Sequence, residues 1–230
     1  GQRVDIAASV QAAKLGTRIY EPPLPGLGAP SQPGAEAKIE VTAESTFAAM
    51  QRLRLQGAVH IGCLNFASAK NPGGGFLNGA EAQEEALSRA SALYDCLLCA
   101  PDYYARNRAH HSCIYLDIII ATPAVPFFRD DEGQLLEVPL LAGVITAPAP
   151  NAGAVMANEP ERVPEVEAAL RRRAEMVLHA AALTGVEHLV LGAWGCGVFR
   201  NDPRMVARAF ADLLQPGRPW SGHFKTITFD

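Results

Sequence analysis

The apolar positions of the chain alternate between two periods. Helical spacing at Ala86, Ala90, Leu93 and Leu97 predicts one amphipathic helix over 81–98, with Glu84 and Glu85 in its first turn. The same period predicts a short helix over 5–15 and one through Phe47, Met50 and Leu53 toward Leu55, capped by Thr42. Val166, Leu170, Val177 and Leu178 predict a long helix over 163–183, stopped near Gly185. A last helix over 203–214 opens on Asn201 or Asp202 as cap, with Pro203 at an allowed early position. Between these lie β-rich runs at 39–42, 114–120, 125–128, 142–147, 188–194 and 224–229, and an exposed turn at Asp130-Asp131-Glu132-Gly133. The run at 59–67, VHIGCLNFA, is apolar enough for a central strand covered on both faces. Strands interleaved with helices predict a three-layer α/β/α fold of the α/β class around a central mixed sheet.

Composition limits what this scaffold can be. At 230 residues, 49% hydrophobic and 19% charged, the chain suits one α/β domain with a sizeable core. Residues 1–37 read as a helical extension plus a Pro/Gly-rich connection over 21–37, packed onto a main domain at 38–230. A net charge of −4 and a pI near 5.9 give no global drive toward nucleic-acid backbone, and no basic recognition helix is visible. A local phosphate pocket remains compatible, because loop and helix amides bind phosphate without many cations. With neither a membrane-length apolar run nor a secretory signal in the sequence, the expectation is a soluble cytoplasmic protein that does not engage a membrane.

Five cysteines, an odd count in a chain of this size, argue against a disulfide framework. Cys96 and Cys99, followed by His110, His111 and Cys113, raise a zinc site, with redox chemistry a further alternative. Placement of the first pair on an amphipathic helix favours ordinary packing. The run Arg171-Arg172-Arg173 reads as a solvated helix face, against the alternative of contact with an anionic partner.

Two glycine loops carry the candidate chemistry. The central strand runs straight into Asn71-Pro72-Gly73-Gly74-Gly75, at the strand's carboxyl end where open α/β sheets bind ligands. Seven residues on come Gln83-Glu84-Glu85. Asn65 and Asn71 can fix ribose hydroxyls with paired donor and acceptor groups, and Lys70 can attract phosphate or remain solvated. Adjacent helix positions point about 100° apart, so Glu84 and Glu85 cannot play equivalent roles. Acidic residues in a first turn are equally explained by the helix dipole, which opposes general-acid behaviour unless burial raises the pKa. The second loop, Gly195-Cys196-Gly197-Val198-Phe199, can surround a diphosphate, with Phe199 pressed against a sugar or base. Trp194 reads as a core anchor. No base neighbours Cys196 in sequence, so Cys196 reads as a loop member and not a nucleophile. Neither the triphosphatase P-loop nor the full dinucleotide fingerprint is present.

NFASAKNPGGG at 65–75, the GGG-x7-QEE arrangement at 73–85 and GAWGCGVFRNDP at 192–203 together resemble the bacterial-type poly(ADP-ribose) glycohydrolases, over roughly 40–229. The resemblance implies a macrodomain-like catalytic domain at 38–230. It implies hydrolysis of ribose–ribose O-glycosidic bonds in poly(ADP-ribose), mainly from the distal terminus, releasing ADP-ribose. Glu85 would be the catalytic acid and Glu84 its substrate-orienting neighbour. Asn71 and Gly73, Gly74 and Gly75 would place the reacting ribose, with Gln83 organising the acidic turn among the substrate contacts. Gly195, Cys196, Gly197 and Val198 would form the diphosphate loop, and Phe199 would restrain the terminal ADP-ribose. No metal or organic cofactor is implied. Expected partners are poly(ADP-ribose) and poly(ADP-ribosyl)ated proteins, met by a monomer in the DNA damage response. A non-catalytic ADP-ribose-binding macrodomain, using both loops with the glutamates as polar supports, is the competing class.

Overall fold

The computed structural model describes residues 4–26 and 36–230; most of the Pro/Gly-rich connection expected over 21–37 lies outside the described residues. In chain order the elements are α1 (Ala7–Gly16), β1 (Arg18–Tyr20), β2 (Lys38–Val41), α2 (Thr46–Leu55), β3 (Ile61–Phe66), α3 (Gln83–Ala90), α4 (Leu93–Leu97) and α5 (Pro101–Ala109). They continue with β4 (Ile119–Arg129), β5 (Leu135–Ala147), α6 (Ala152–Asn158), α7 (Glu165–Leu183), β6 (His188–Leu191), α8 (Pro203–Leu214) and β7 (Thr226–Phe229). The seven strands form one mixed sheet in the order β1-β4-β5-β3-β6-β7-β2. β4 runs against its neighbours β1 and β5, and all other pairs are parallel.

β3 shows why three layers form. Successive side chains of a strand point to opposite faces, and Leu64 joins a core built with Leu170, Val177 and Phe210, while Ile61 and Cys63 join a second core with Met50, Leu87 and Tyr103. Helices α7 and α8 thus cover one face, and α2 through α5 the other. Each fully buried Leu or Ile contributes roughly 1.5–3 kcal/mol, so β3 is anchored from both sides. Its carboxyl end, and those of β5 and β6 beside it, open on the same edge of the sheet. That edge carries both glycine loops.

Several local expectations change. The cap of α2 is Ser45, whose Oγ accepts from the Ala48 N–H at 3.0 Å; Thr42 continues the strand by donating its N–H to Phe229 O at 2.9 Å. The helix expected over 81–98 breaks at Ser91, which is extended, bridges Phe127 and caps both sides: its Oγ donates to Leu87 O and accepts from Leu93 N–H. The strand expected from 114 starts at Ile119, and the pieces at 125–128 and 142–147 belong to one long β4–β5 hairpin turning at 130–133. Helix α5 and edge strand β1 were not predicted. The arginine run is not uniformly solvated: Arg171 pairs with Asp212 and Arg172 with Asp117, but Arg173 is fully buried. The expected caps of α8 hold, with Asp202 accepting from Arg204 N–H and Pro203 in the first turn.

Candidate active site

Gln83 docks α3 onto the end of β3. Its Oε1 accepts from the Phe66 N–H at 2.9 Å, and its Nε2 donates to Leu64 O at 2.7 Å and Thr46 Oγ1 at 3.1 Å. A side-chain amide here takes the place of a neighbouring strand. Both Nε2 donors are directed into the protein, so the Gln83 amide, expected among the substrate contacts and to organise the acidic turn, is engaged by Phe66, Leu64 and Thr46. Thr46 in turn donates to Asp230, whose carboxyl is raised by burial.

This docking turns both glutamates inward, although each begins a helix. Glu84 is 3% exposed; its Oε2 accepts from the Ser68 N–H at 2.7 Å and its Oε1 from Asn65 Nδ2 at 3.3 Å. Burial pushes its pKa from the ordinary 4.5 up to about 8, against the pull of those donors, and Glu85 adds a smaller push. Glu85 is 8% exposed and accepts the Gly75 N–H through Oε1 at 2.8 Å. Its Oε2 has no hydrogen-bond partner among the described residues. The two carboxyls therefore differ as their helical offset requires: one is braced on both oxygens, the other on one.

The glycine loop is shaped around Glu85. Gly73 and Gly74 have φ of +66° and +61°, a region that disfavours side chains, and a Cβ at Gly74 would land on Glu85 Oε1. The turn closes with Gly74 N–H on Asn71 O at 3.0 Å. Ser68 Oγ supports it by accepting from the N–H groups of Lys70 and Asn71. Asn71 is exposed beside the turn, as a ligand contact requires. Asn65, also expected at a ribose, is fully buried and instead bridges Glu84 and Thr146 Oγ1. It braces the carboxylate from beneath. Ser68 was not singled out in the sequence, although a serine three residues before Asn71 is the signal for such a turn.

The second loop is anchored to the exit of β5. Trp194 is fully buried and donates Nε1–H to Ala147 O at 3.0 Å; Asn201 Nδ2 donates to Pro150 O and Gly195 O at 2.8 and 3.0 Å. Gly195 has φ +70°, and an added Cβ would strike Ala149 and Asn201. Gly197 is open, Val198 is 85% exposed, and Phe199 is half-buried with its ring 6.0 Å from that of Tyr115. Cys196 is half-buried and its thiol is pushed up by burial, the opposite of a nucleophile's requirement. A cavity of about 550 Å³ lies against Phe47, Phe66, Gln83 and Leu87, and neither Glu84 nor Glu85 lines it. All five cysteines are free, and no group of three or more metal-ligating side chains occurs among the described residues.

A mixed sheet whose carboxyl edge presents two glycine loops and a buried, unequal pair of glutamates defines an α/β domain with a ligand cleft and a carboxyl group poised beside it. The family model "Microbial-type PARG, catalytic domain" matches residues 1–130. Solved structures agree. Poly(ADP-ribose) glycohydrolase from Thermomonospora curvata superposes with a TM-score of 0.92 at 48% identity, covering 98% of this chain and 83% of that one. The enzyme from Deinococcus radiodurans in complex with ADP-ribose superposes at 0.86 and 49% identity, covering 96% and 89%. The T. curvata enzyme bound to the inhibitor ADP-HPD superposes at 0.87 and 45% identity, covering 98% and 83%. No curated protein gives a significant match. The chain belongs to the microbial-type PARG family and is a poly(ADP-ribose) glycohydrolase.

Proposed function

We propose that Glu85 is the general acid of polymer hydrolysis and that the two glycine loops hold the terminal ADP-ribose. The observation that carries this reading is the asymmetry of Glu85: one oxygen is fixed by the Gly75 N–H, while the other is buried without a partner among the described residues. A group so held can meet a leaving oxygen in one orientation. Glu85 delivers a proton to the departing ribose oxygen as positive charge develops at the anomeric carbon; water attacks that carbon and gives up a proton that restores Glu85. Glu84, braced by Ser68 and Asn65, orients the ribose, with Asn71 and Gly73 through Gly75 around it.

The diphosphate lies over the loop at 195–198, facing the N–H groups of Gly195, Gly197 and Val198 while that of Cys196 is donated to Ala193 O, and Phe199 restrains the terminal ADP-ribose. An ADP-ribose ligand is supported by the D. radiodurans complex. Cleavage runs mainly from the distal terminus, on free polymer and on poly(ADP-ribosyl)ated proteins. A monomeric, cytoplasmic enzyme acting in the DNA damage response completes the reading, which here rests on the composition and the family's chemistry.

The test is release of ADP-ribose from polymer of defined length, run beside a mono-ADP-ribosylated protein. Terminal ADP-ribose should appear first, at a rate that collapses in Glu85→Gln. Shortening of internal segments ahead of terminal release overturns the distal preference, and a Glu85→Gln variant of normal rate overturns the acid assignment.

A further inference from the structure

Arg173 is completely buried, and all three of its guanidinium nitrogens donate hydrogen bonds. Nε donates to Asp117 Oδ1 at 2.9 Å, Nη1 to Pro148 O at 2.8 Å, and Nη2 to Ile114 O at 2.6 Å and Tyr115 O at 3.3 Å. One rigid fork on α7 thus ties the exit of β5 to the 114–117 turn, a geometry that a lysine cannot reproduce. Within that turn Tyr115 has φ +64°. A bulky residue in this region is strained, and such strain persists only where the surroundings over-determine it. Arg173 supplies that determination by holding the carbonyls of Ile114 and Tyr115.

The strained residue faces the second loop. The Tyr115 ring lies 6.0 Å from Phe199 at an interplanar angle of 49°, and both residues are half-buried. Directly after Phe199, Arg200 also adopts a left-handed conformation, φ +57°. The two sides are joined through the backbone: Asn151 N–H donates to Cys113 O and Gly153 N–H to Phe199 O, each at 2.9 Å. One member of this aromatic pair, Tyr115, and the residue that follows the other, Arg200, therefore both hold strained left-handed backbone at the edge where the sheet opens.

We propose that Tyr115 is a second aromatic wall of the ADP-ribose cleft, beside Phe199 and continuous with it, and that Arg173, with Asp117, is the positioning residue that holds it there. The proposal rests on the reading that the Phe199 loop contacts ADP-ribose. Tyr115 contributes ring contact to the bound ligand, so its loss weakens binding more than it slows the chemical step. Arg173 touches no ligand and acts through the 114–117 turn.

The experiment uses the full chain, with ADP-ribose titrated calorimetrically and polymer hydrolysis followed to saturation. Tyr115→Gly keeps the left-handed backbone without strain, so the turn survives while the ring is lost. It should weaken ADP-ribose binding by about tenfold, with kcat held to within about twofold. Tyr115→Phe should bind nearly as the parent does. Arg173→Lys should weaken binding in the same direction, again with kcat largely kept. Phe199→Ala separates the two levels of the argument. If it weakens ADP-ribose binding while Tyr115→Gly does not, the second wall is rejected and the loop reading stands; if neither variant moves the Kd, the loop reading itself fails. A folded Arg173→Lys that loses kcat at unchanged Kd overturns the positioning role.

Discussion

The Gly75 N–H meets Glu85 Oε1 at 2.8 Å across a turn in which Gly74, at φ +61°, leaves room for that oxygen. Gly74→Ala would add both backbone strain and a methyl group on the carboxylate. The strain alone costs about 1–2 kcal/mol. Displacing the carboxylate by an ångström is expected to lower kcat by about a hundredfold. Gly79→Ala is the control, since Gly79 has φ +82° but open space around an added Cβ. Thermal melts should show destabilisation in both, the larger in Gly74→Ala, with kcat falling only in Gly74→Ala. Equal kcat in the two variants removes the glycine loop from the placement of Glu85.

Replacing Glu85 by glutamine preserves an acceptor for the Gly75 N–H and removes the transferable proton. The expected result is a loss of about 10²–10⁴-fold in kcat, with ADP-ribose affinity kept to within a few-fold. Single-turnover hydrolysis and calorimetry measure the two quantities separately. A parallel loss of affinity would mean that Glu85 organises the ligand and does not deliver the proton.

Glu84 links the site to stability through pH. Its folded pKa, about 8, lies above the ordinary 4.5, so the folded state keeps a proton that the unfolded chain releases. Stability from this group is fully present below about pH 4.5 and is lost as pH rises through about 8. The total change is on the order of a few kcal/mol. Urea denaturation of the wild type from pH 5 to 8.5 should show that decline, and Glu84→Gln, which cannot ionise, should flatten it. An unchanged slope in Glu84→Gln would assign the pH dependence elsewhere.

What the sequence revealed follows the range of the interactions involved. β3, α7 and α8 were legible because their apolar period and caps are local, down to Asp202 and Pro203 at the start of α8. The two loops were legible because glycine runs, asparagine and serine encode turns directly. Arg173 was not: its partner Asp117 lies 56 residues away, and nothing in three consecutive arginines marks the buried one. The burial of Asn65 against Glu84 and Thr146 was not legible for a related reason, because an amide at a strand end suits a ribose and a buried carboxylate equally well. The break at Ser91 depends on a bridge to Phe127 in β4, which no helical window contains. Tyr115 joins these cases, since a positive φ at tyrosine has no sequence signature.

Gly195 and Gly197, on either side of Cys196 in the second loop, separate structural from ligand demands. Gly195 is left-handed, and a Cβ there would collide with Ala149 and Asn201, whose amide closes the loop onto Pro150 O. Gly195→Ala should therefore destabilise the fold by about 1–3 kcal/mol through strain and a disturbed buried amide, visible as a lowered denaturation midpoint. Gly197 has open space around an added Cβ. Gly197→Ala should melt like the wild type, so any change in its ADP-ribose affinity reports on how closely the diphosphate approaches the backbone. The expected outcome is a several-fold rise in Kd with an unchanged melt. If Gly197→Ala binds normally, the diphosphate is held elsewhere than over 195–198, and the N–H groups of that turn serve only to close the loop.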